Sequence, residues 1–286
     1  CHADSRQQAW SPRDVAGGML GYRVAHHQPG SRIMETADRA QARPITGRQK
    51  CVAYAVHLYT ASGAVVGLLM AARIVDRDYG AAFLWMLLAV AIDMTDGFLA
   101  RRFRVKEVVP HIDGRTLDDL VDYLNYTFLP VCMIWRAEWL PEPGWLWCGM
   151  ILMSSLFGFA HSGAKEESRG FFRGFPSYWN IVAFYIWICF HHYGSGVVLG
   201  VVLVLSLLTV LPVRFVYPNR PPCWRGFFLG GALAWMILVL YMLLRQPSDP
   251  LDWAVWVSFI YPVLYVILSV YLDWKIPREV PGERQP

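Results

Sequence analysis

Residues 81–102 read AAFLWMLLAVAIDMTDGFLARR. From Ala81 to Ile92 the segment is wholly apolar. Asp93 and Asp96 then stand where a membrane helix is still in or near lipid, and Arg101 and Arg102 close it. An ionisable side chain inside a span is costly, so carboxylates placed there point to function. Spaced i, i+3, Asp93 and Asp96 share one helix face, and Ala100 and Arg101 return to it at i+7 and i+8 from Asp93. The next apolar stretch opens with GRTLDDLVDYLNY at Gly114. There Gly114, Asp118 and Asp122 form a second stripe at i, i+4 and i+8. Folded as a helical hairpin, the two stretches set one row of carboxylates against the other.

The surrounding chain fits a membrane setting. Hydrophobic residues make up 55% of the 286 residues and charged ones 17%, with a mean hydropathy of +0.32, against about 25% charged in soluble domains. The apolar residues fall into blocks of roughly 20, the length that crosses a hydrocarbon core. The expected fold class is therefore all-α, a polytopic helix bundle with eight transmembrane helices at about 52–74, 80–100, 115–136, 143–162, 178–193, 195–212, 226–244 and 252–272. With both termini cytoplasmic, 22 of the 26 Lys and Arg lie in cytoplasmic segments. Only Arg73, Arg77, Arg136 and Arg245 fall outside, as the positive-inside rule requires. Trp139, Trp145 and Trp147 then mark the outer interface, as do His191 and His192. Residues 1–48 are polar and are expected to be mostly disordered, with a short amphipathic helix near 45–51. Residues 49–275 form the transmembrane domain, and 276–286 a short cytoplasmic tail. The six cysteines form no CxxC pair and read as small apolar residues.

Four carboxylates meeting in a low-dielectric site repel strongly, so a cation must sit among them. An oxygen-only donor set favours Mg²⁺, Mn²⁺ or Ca²⁺ over zinc. Such ions bind substrate phosphates, and two of them can stabilise the leaving oxygen of a phosphoryl-type transfer. Gly97 and Gly114 let a ligand approach the helix backbone. The chemistry points to a diphosphate substrate at the cytoplasmic end of the hairpin.

Asp93, Asp96, Gly97, Ala100 and Arg101, followed by Gly114, Asp118 and Asp122, resemble the signature of the CDP-alcohol phosphatidyltransferase family, D-x2-D-G-x2-A-R-spacer-G-x3-D-x3-D. The departure is the spacer, residues 102–113, longer than the family's usual one. This longer spacer, together with RVKEVVPHIDG, DYLNYTFLPV, GFPSYWNIVAFY and LPVRFVYPNR, resembles the family's bacterial phosphatidylcholine synthase branch. The resemblance covers about residues 48–272. It implies an enzyme of the bacterial inner membrane that transfers a phosphatidyl group from CDP-diacylglycerol to choline and releases CMP. It also implies two ions, Mn²⁺ or Mg²⁺, held by Asp93, Asp96, Asp118 and Asp122, with Asp122 as the general base. Gly97, Ala100, Arg101 and Gly114 would line the CDP pocket. A homodimer is a further implication; no nucleic-acid partner is expected.

Choline has no N–H donor, so aromatic faces and a nearby anion would hold it. Tyr123, Tyr126, Tyr178, Trp179 and Tyr185 are the candidates. Asp119 and Asp113 lie off the stripe, and Asp119 reads as a neighbour of the ligands or as a solvated or helix-capping residue. Lys165, Arg169 and Arg173, and Arg214, Tyr217 and Arg220, have two readings, phosphate contact or topology and anionic headgroups. His161 ends the fourth span near the cytoplasm. Two other functions stay open: a different acceptor (serine, inositol or glycerol 3-phosphate), and an ion-coupled transporter, which would call for broken helices or repeated halves.

Overall fold

The computed structural model describes residues 45–161, 165–166, 170–217, 221–245 and 252–276. The helices are α1 (Gly47–Val75), α2 (Tyr79–Arg102), the short α3 (Val105–Val108), α4 (Gly114–Asp122), α5 (Leu129–Arg136), α6 (Gly144–Ala160), α7 (Trp179–Ile188), α8 (Ser195–Val210), α9 (Arg225–Arg245) and α10 (Trp253–Lys275). α1, α2, α9 and α10 are long and apolar enough to cross a membrane, and α6, α7 and α8 are shorter apolar helices. The chain is thus an all-α membrane protein with one small sheet. Residues 1–44 and 277–286, the side chains of Lys165 and Arg169, and Arg220 lie outside the described residues.

The amphipathic helix expected near 45–51 is instead the first turn of α1. Thr46 closes a capping box there: the Gln49 N–H donates to Thr46 Oγ1 at 3.3 Å, and the Thr46 N–H donates to Gln49 Oε1 at 2.8 Å. A cap this well formed starts a long helix without a break at the membrane edge. α1 packs along α2 and α4. A Cβ on Gly63 would sit 2.6 Å from Val121 Cγ1, and one on Gly67 2.8 Å from Asn125 Oδ1. Only glycine permits that approach, the small-residue contact typical of membrane helices.

α4 and α5 are joined by a π-helical segment, Tyr123–Phe128. Pro130 explains it. Proline has no N–H to offer the Tyr126 carbonyl, and its ring crowds that oxygen. The ladder widens, so the Leu129 N–H reaches Leu124 O. Asn125 fills the widened turn, donating from Nδ2 to Val121 O and to Gly63 O of α1, both at 3.1 Å.

A three-stranded antiparallel sheet was not foreseen: β1 (Lys165–Glu166), β2 (Phe171–Arg173) and β3 (Arg214–Val216), in the order β1-β2-β3. Phe172 pairs with Phe215, and Arg173 with Arg214. β3 is pinned to α10. Val216 N donates to Ser269 Oγ at 3.1 Å, and Tyr265 Oη donates to Val216 O at 2.8 Å. Arg214 corrects both readings given to it. It is 2% exposed, its Nε donates to Asp273 Oδ1 at 2.6 Å, and its Nη2 donates to the carbonyls of Asp273 and Ile276. Its guanidinium lies 4.7 Å from the centre of the Phe171 ring. It is a buried structural cation, because α10 supplies the anion that a loop reading does not anticipate.

Candidate active site

Of the four carboxylates expected on facing stripes, three come together: Asp93 from α2 with Asp118 and Asp122 from α4. Carboxylate oxygens of these three lie within 4.8 Å of one another, each side chain partly buried. Such a set, all oxygen and without His or Cys, fits a hard divalent ion. Three anionic groups at that separation are costly unless positive charge balances them. Asp96 stands apart from this triad. It is 6% exposed, and its Oδ2 accepts a hydrogen bond from Thr60 Oγ1 of α1 at 2.8 Å. Tyr126 donates from Oη to Asp93 Oδ2 at 3.0 Å.

The other signature residues are spread along the hairpin. Arg101 is exposed and folds back along its helix: a Cβ on Gly97 would lie 3.3 Å from Arg101 Nη1. Gly114 faces His57 of α1, whose Cε1 would lie 3.1 Å from an added Cβ. Ala100 packs with a small apolar cluster around Ala53, Val56 and Val109. Asp113 caps α4, accepting from the Arg115 N–H at 3.0 Å and the Thr116 hydroxyl at 2.8 Å. The Thr116 hydroxyl, then the N–H groups of Arg115 and Thr116, hold its carboxyl below the usual carboxylate range. Asp119 pairs with Arg115 at 3.9 Å, one turn away.

A cavity of about 680 Å³ opens beside the carboxylates. Asp93, Asp122, Tyr126, Tyr178 and Tyr217 line its polar end, together with Phe172 from β2. Among the described residues that line it, there is no Lys or Arg. Of the aromatic candidates, Tyr126 and Tyr178 thus meet the carboxylates. Tyr123 does not line the cavity; its ring packs edge-on against Phe159. Trp179 is fully buried, donates from Nε1 to Ser155 Oγ at 2.9 Å, and does not line the cavity either. Tyr185 lines the cavity farther along. Its hydroxyl donates to the Ser258 carbonyl at 2.9 Å and accepts from Trp235 Nε1 at 3.0 Å. That carbonyl lies four residues before Pro262, the position a proline strips of its helical donor. Tyr185 therefore supplies the missing partner for α10. His191 packs against Trp139 and bonds through Nδ1 to Ile186 O at 2.8 Å; His161 is exposed at the end of α6.

Two residues at the site escaped the sequence reading. Thr60 orients Asp96. Asn180, 7% exposed, lines the cavity, and its buried Oδ1 has no hydrogen-bond partner among the described residues. The signal was present: Asn180 is the single amide in the otherwise apolar WNIVAFYIWI.

A sequence model described as CDP-alcohol phosphatidyltransferase matches residues 54–212. The chain is 39% identical over 206 residues to the phosphatidylcholine synthase of Pseudomonas aeruginosa, covering 72% of this chain and 85% of that one. It is 36% identical over 228 residues to the phosphatidylcholine synthase of Rhizobium meliloti, covering 79% and 92%. A third relative, the phosphatidylcholine synthase of Borreliella burgdorferi, is 32% identical over 227 residues, covering 78% and 95%.

Proposed function

The chain belongs to the CDP-alcohol phosphatidyltransferase family, and we propose that it is a phosphatidylcholine synthase, moving a phosphatidyl group from CDP-diacylglycerol to choline with release of CMP. The observation that carries this reading is the Asp93, Asp118 and Asp122 triad, of which Asp93 and Asp122 line an aromatic-rich cavity without a basic side chain among its described lining. A phosphate-bearing acceptor would want cations there. A quaternary ammonium wants aromatic faces and nearby anions, which Tyr126, Tyr178, Asp93 and Asp122 supply.

In this reading Asp93, Asp96, Asp118 and Asp122 hold two divalent ions, Mn²⁺ or Mg²⁺, with Thr60 and Tyr126 fixing the carboxylates as outer partners do. Bound there, the ions supply positive charge that offsets the diphosphate and the leaving group. Asp122 takes the hydroxyl proton of choline. The choline oxygen bonds to the β-phosphorus, the bond from that phosphorus to the bridging oxygen breaks, and CMP leaves with the electron pair. Gly97, Ala100, Arg101 and Gly114 bind the nucleotide, Arg101 pairing with phosphate. The chain crosses the bacterial inner membrane eight times with both termini and the reaction centre on the cytoplasmic side.

The test supplies purified protein with CDP-diacylglycerol and Mn²⁺ and follows CMP release with choline, serine, inositol and glycerol 3-phosphate in turn. Release with choline alone is expected. Release with another alcohol in place of choline would keep the family and overturn the acceptor.

A further inference from the structure

The cavity does not end at the acceptor. Along α2 its lining steps away from Asp93 through Val90, Met86 and Phe83, one helical face. Along α9 it runs from Leu229 to Leu243, about 21 Å of helix axis. The hydrocarbon tails of one leaflet span about half of a ~30 Å core, so this depth accommodates a full lipid tail. At about 680 Å³ the space lies within the range of about 300–1,000 Å³ that encloses a whole drug-sized ligand, well beyond the need of a small cation. Along it the Trp235 indole N–H donates to the Tyr185 hydroxyl and the Tyr261 hydroxyl donates to Phe228 O, so these groups need no water; the buried Asn180 Oδ1 is a lining group without a hydrogen-bond partner among the described residues.

We infer that this deep part is a chamber for one fatty acyl chain of the lipid substrate, walled in part by α9 and α10, which lie outside the matched family segment 54–212. The inference rests on the phosphatidyl-transfer reading. The acyl esters lie only a few bonds from the phosphorus handled by Asp93 and Asp122, so a tail must leave the reaction centre by an apolar route. The cavity is such a route, beginning at those two carboxylates. An apolar space of this size gains its missing packing only when a chain fills it.

Two positions test the chamber. Gly200 lines it, and an added Cβ there meets no heavy atom within 4 Å. Ala232 lines it from α9. Gly200→Leu and Ala232→Phe would shorten it, while Gly230→Leu, equally open but absent from the lining, serves as control. CMP release is measured with didodecanoyl and dioctadecenoyl CDP-diacylglycerol. Both chamber variants should lower the rate on the long-chain relative to the short-chain lipid by about tenfold, the scale at which an apolar pocket rejects excess bulk, and the control should not. An unchanged ratio in both variants would overturn the chamber while the phosphatidyl-transfer reading stands. In parallel, a CDP-diacylglycerol with a diazirine near one acyl terminus is photocrosslinked to the wild-type protein, which decides the matter even if no CMP is released. Label on Val201, Met236 or Val239 supports the chamber; label confined to Leu207 and Leu233, on exposed faces of the same helices, places the tails on the outside and overturns it.

Discussion

Tyr126 stands one turn beyond Asp122, and its hydroxyl meets Asp93 across the hairpin at 3.0 Å. That bond restrains the Asp93 carboxylate, one oxygen of which lies within 4.8 Å of those of Asp118 and Asp122. A hydrogen bond to a charged group contributes about 1.5–3 kcal/mol, and losing an outer partner of a ligand weakens metal binding about 10–100-fold. Tyr126→Phe should raise the Mn²⁺ concentration for half-maximal CMP release at least about tenfold; an unchanged Mn²⁺ dependence would remove Tyr126 from that role. Asp113 makes a pH-dependent contribution outside the spans. Its carboxyl is held below its ordinary range by the Thr116 hydroxyl and the N–H groups of α4. A depressed folded-state value means that the capping contribution is present above the unfolded carboxylate range and is lost as pH falls through the folded value. The stability gap between wild type and Asp113→Ala, followed by thermal unfolding in detergent, should be full at pH 7 and close in acid. A gap that widens in acid would contradict the capping role. At this scale the meeting of Asp93 with Asp118 and Asp122 was legible from spacing, while Asp96, expected on the same stripe, bonds to Thr60 of α1 instead. Thr60 and Asn180 were not legible, since a lone hydroxyl or amide carries no spacing pattern.

Helix boundaries follow apolar runs, and most of those read in the sequence are helices in the fold. The exceptions have local causes. The π segment was written in Pro130, whose missing N–H is a one-residue signal inside an apolar run that periodicity averages away. The sheet is built of strands of two or three residues in charged loops, too short for alternation to show, and its stability comes from α10 rather than from strand propensity. Arg214 illustrates the same point: counted as a loop charge, it is a buried partner of Asp273, distant in sequence. Breaking a buried pair by removing one partner costs about 3–5 kcal/mol, while replacing both with apolar residues is often neutral. Asp273→Leu should destabilise the protein by that amount against denaturant in detergent, and Arg214→Met combined with Asp273→Leu should recover most of it. Equal losses in the single and double variants would mean that the pair does not act as a unit.

For the whole molecule, composition and charge asymmetry carried the reading of a helical membrane protein, and among the described residues four helices are long and apolar enough to span. The eight-span topology is a prediction with a direct check. In a cysteine-free background, Arg136→Cys and His192→Cys should react with an impermeant maleimide on spheroplasts, and Lys106→Cys only after permeabilisation. The reverse pattern would invert the protein. What no composition could convey is that the last two helices close a cavity onto the carboxylates, because that depends on how distant helices pack. The proposed function turns on the carboxylates of α2 and α4 holding divalent ions while a phosphatidyl group passes to choline. The most direct measurement is mass-spectrometric detection of phosphatidylcholine made from CDP-diacylglycerol and choline by chelator-treated protein, with and without added Mn²⁺, in wild type and Asp122→Asn. Product is expected only when Mn²⁺ is restored, with a loss of at least about 10²-fold in the variant, the minimum contribution of a general base. Product formed equally well under chelation, or an undiminished rate in folded Asp122→Asn, would contradict the proposed function.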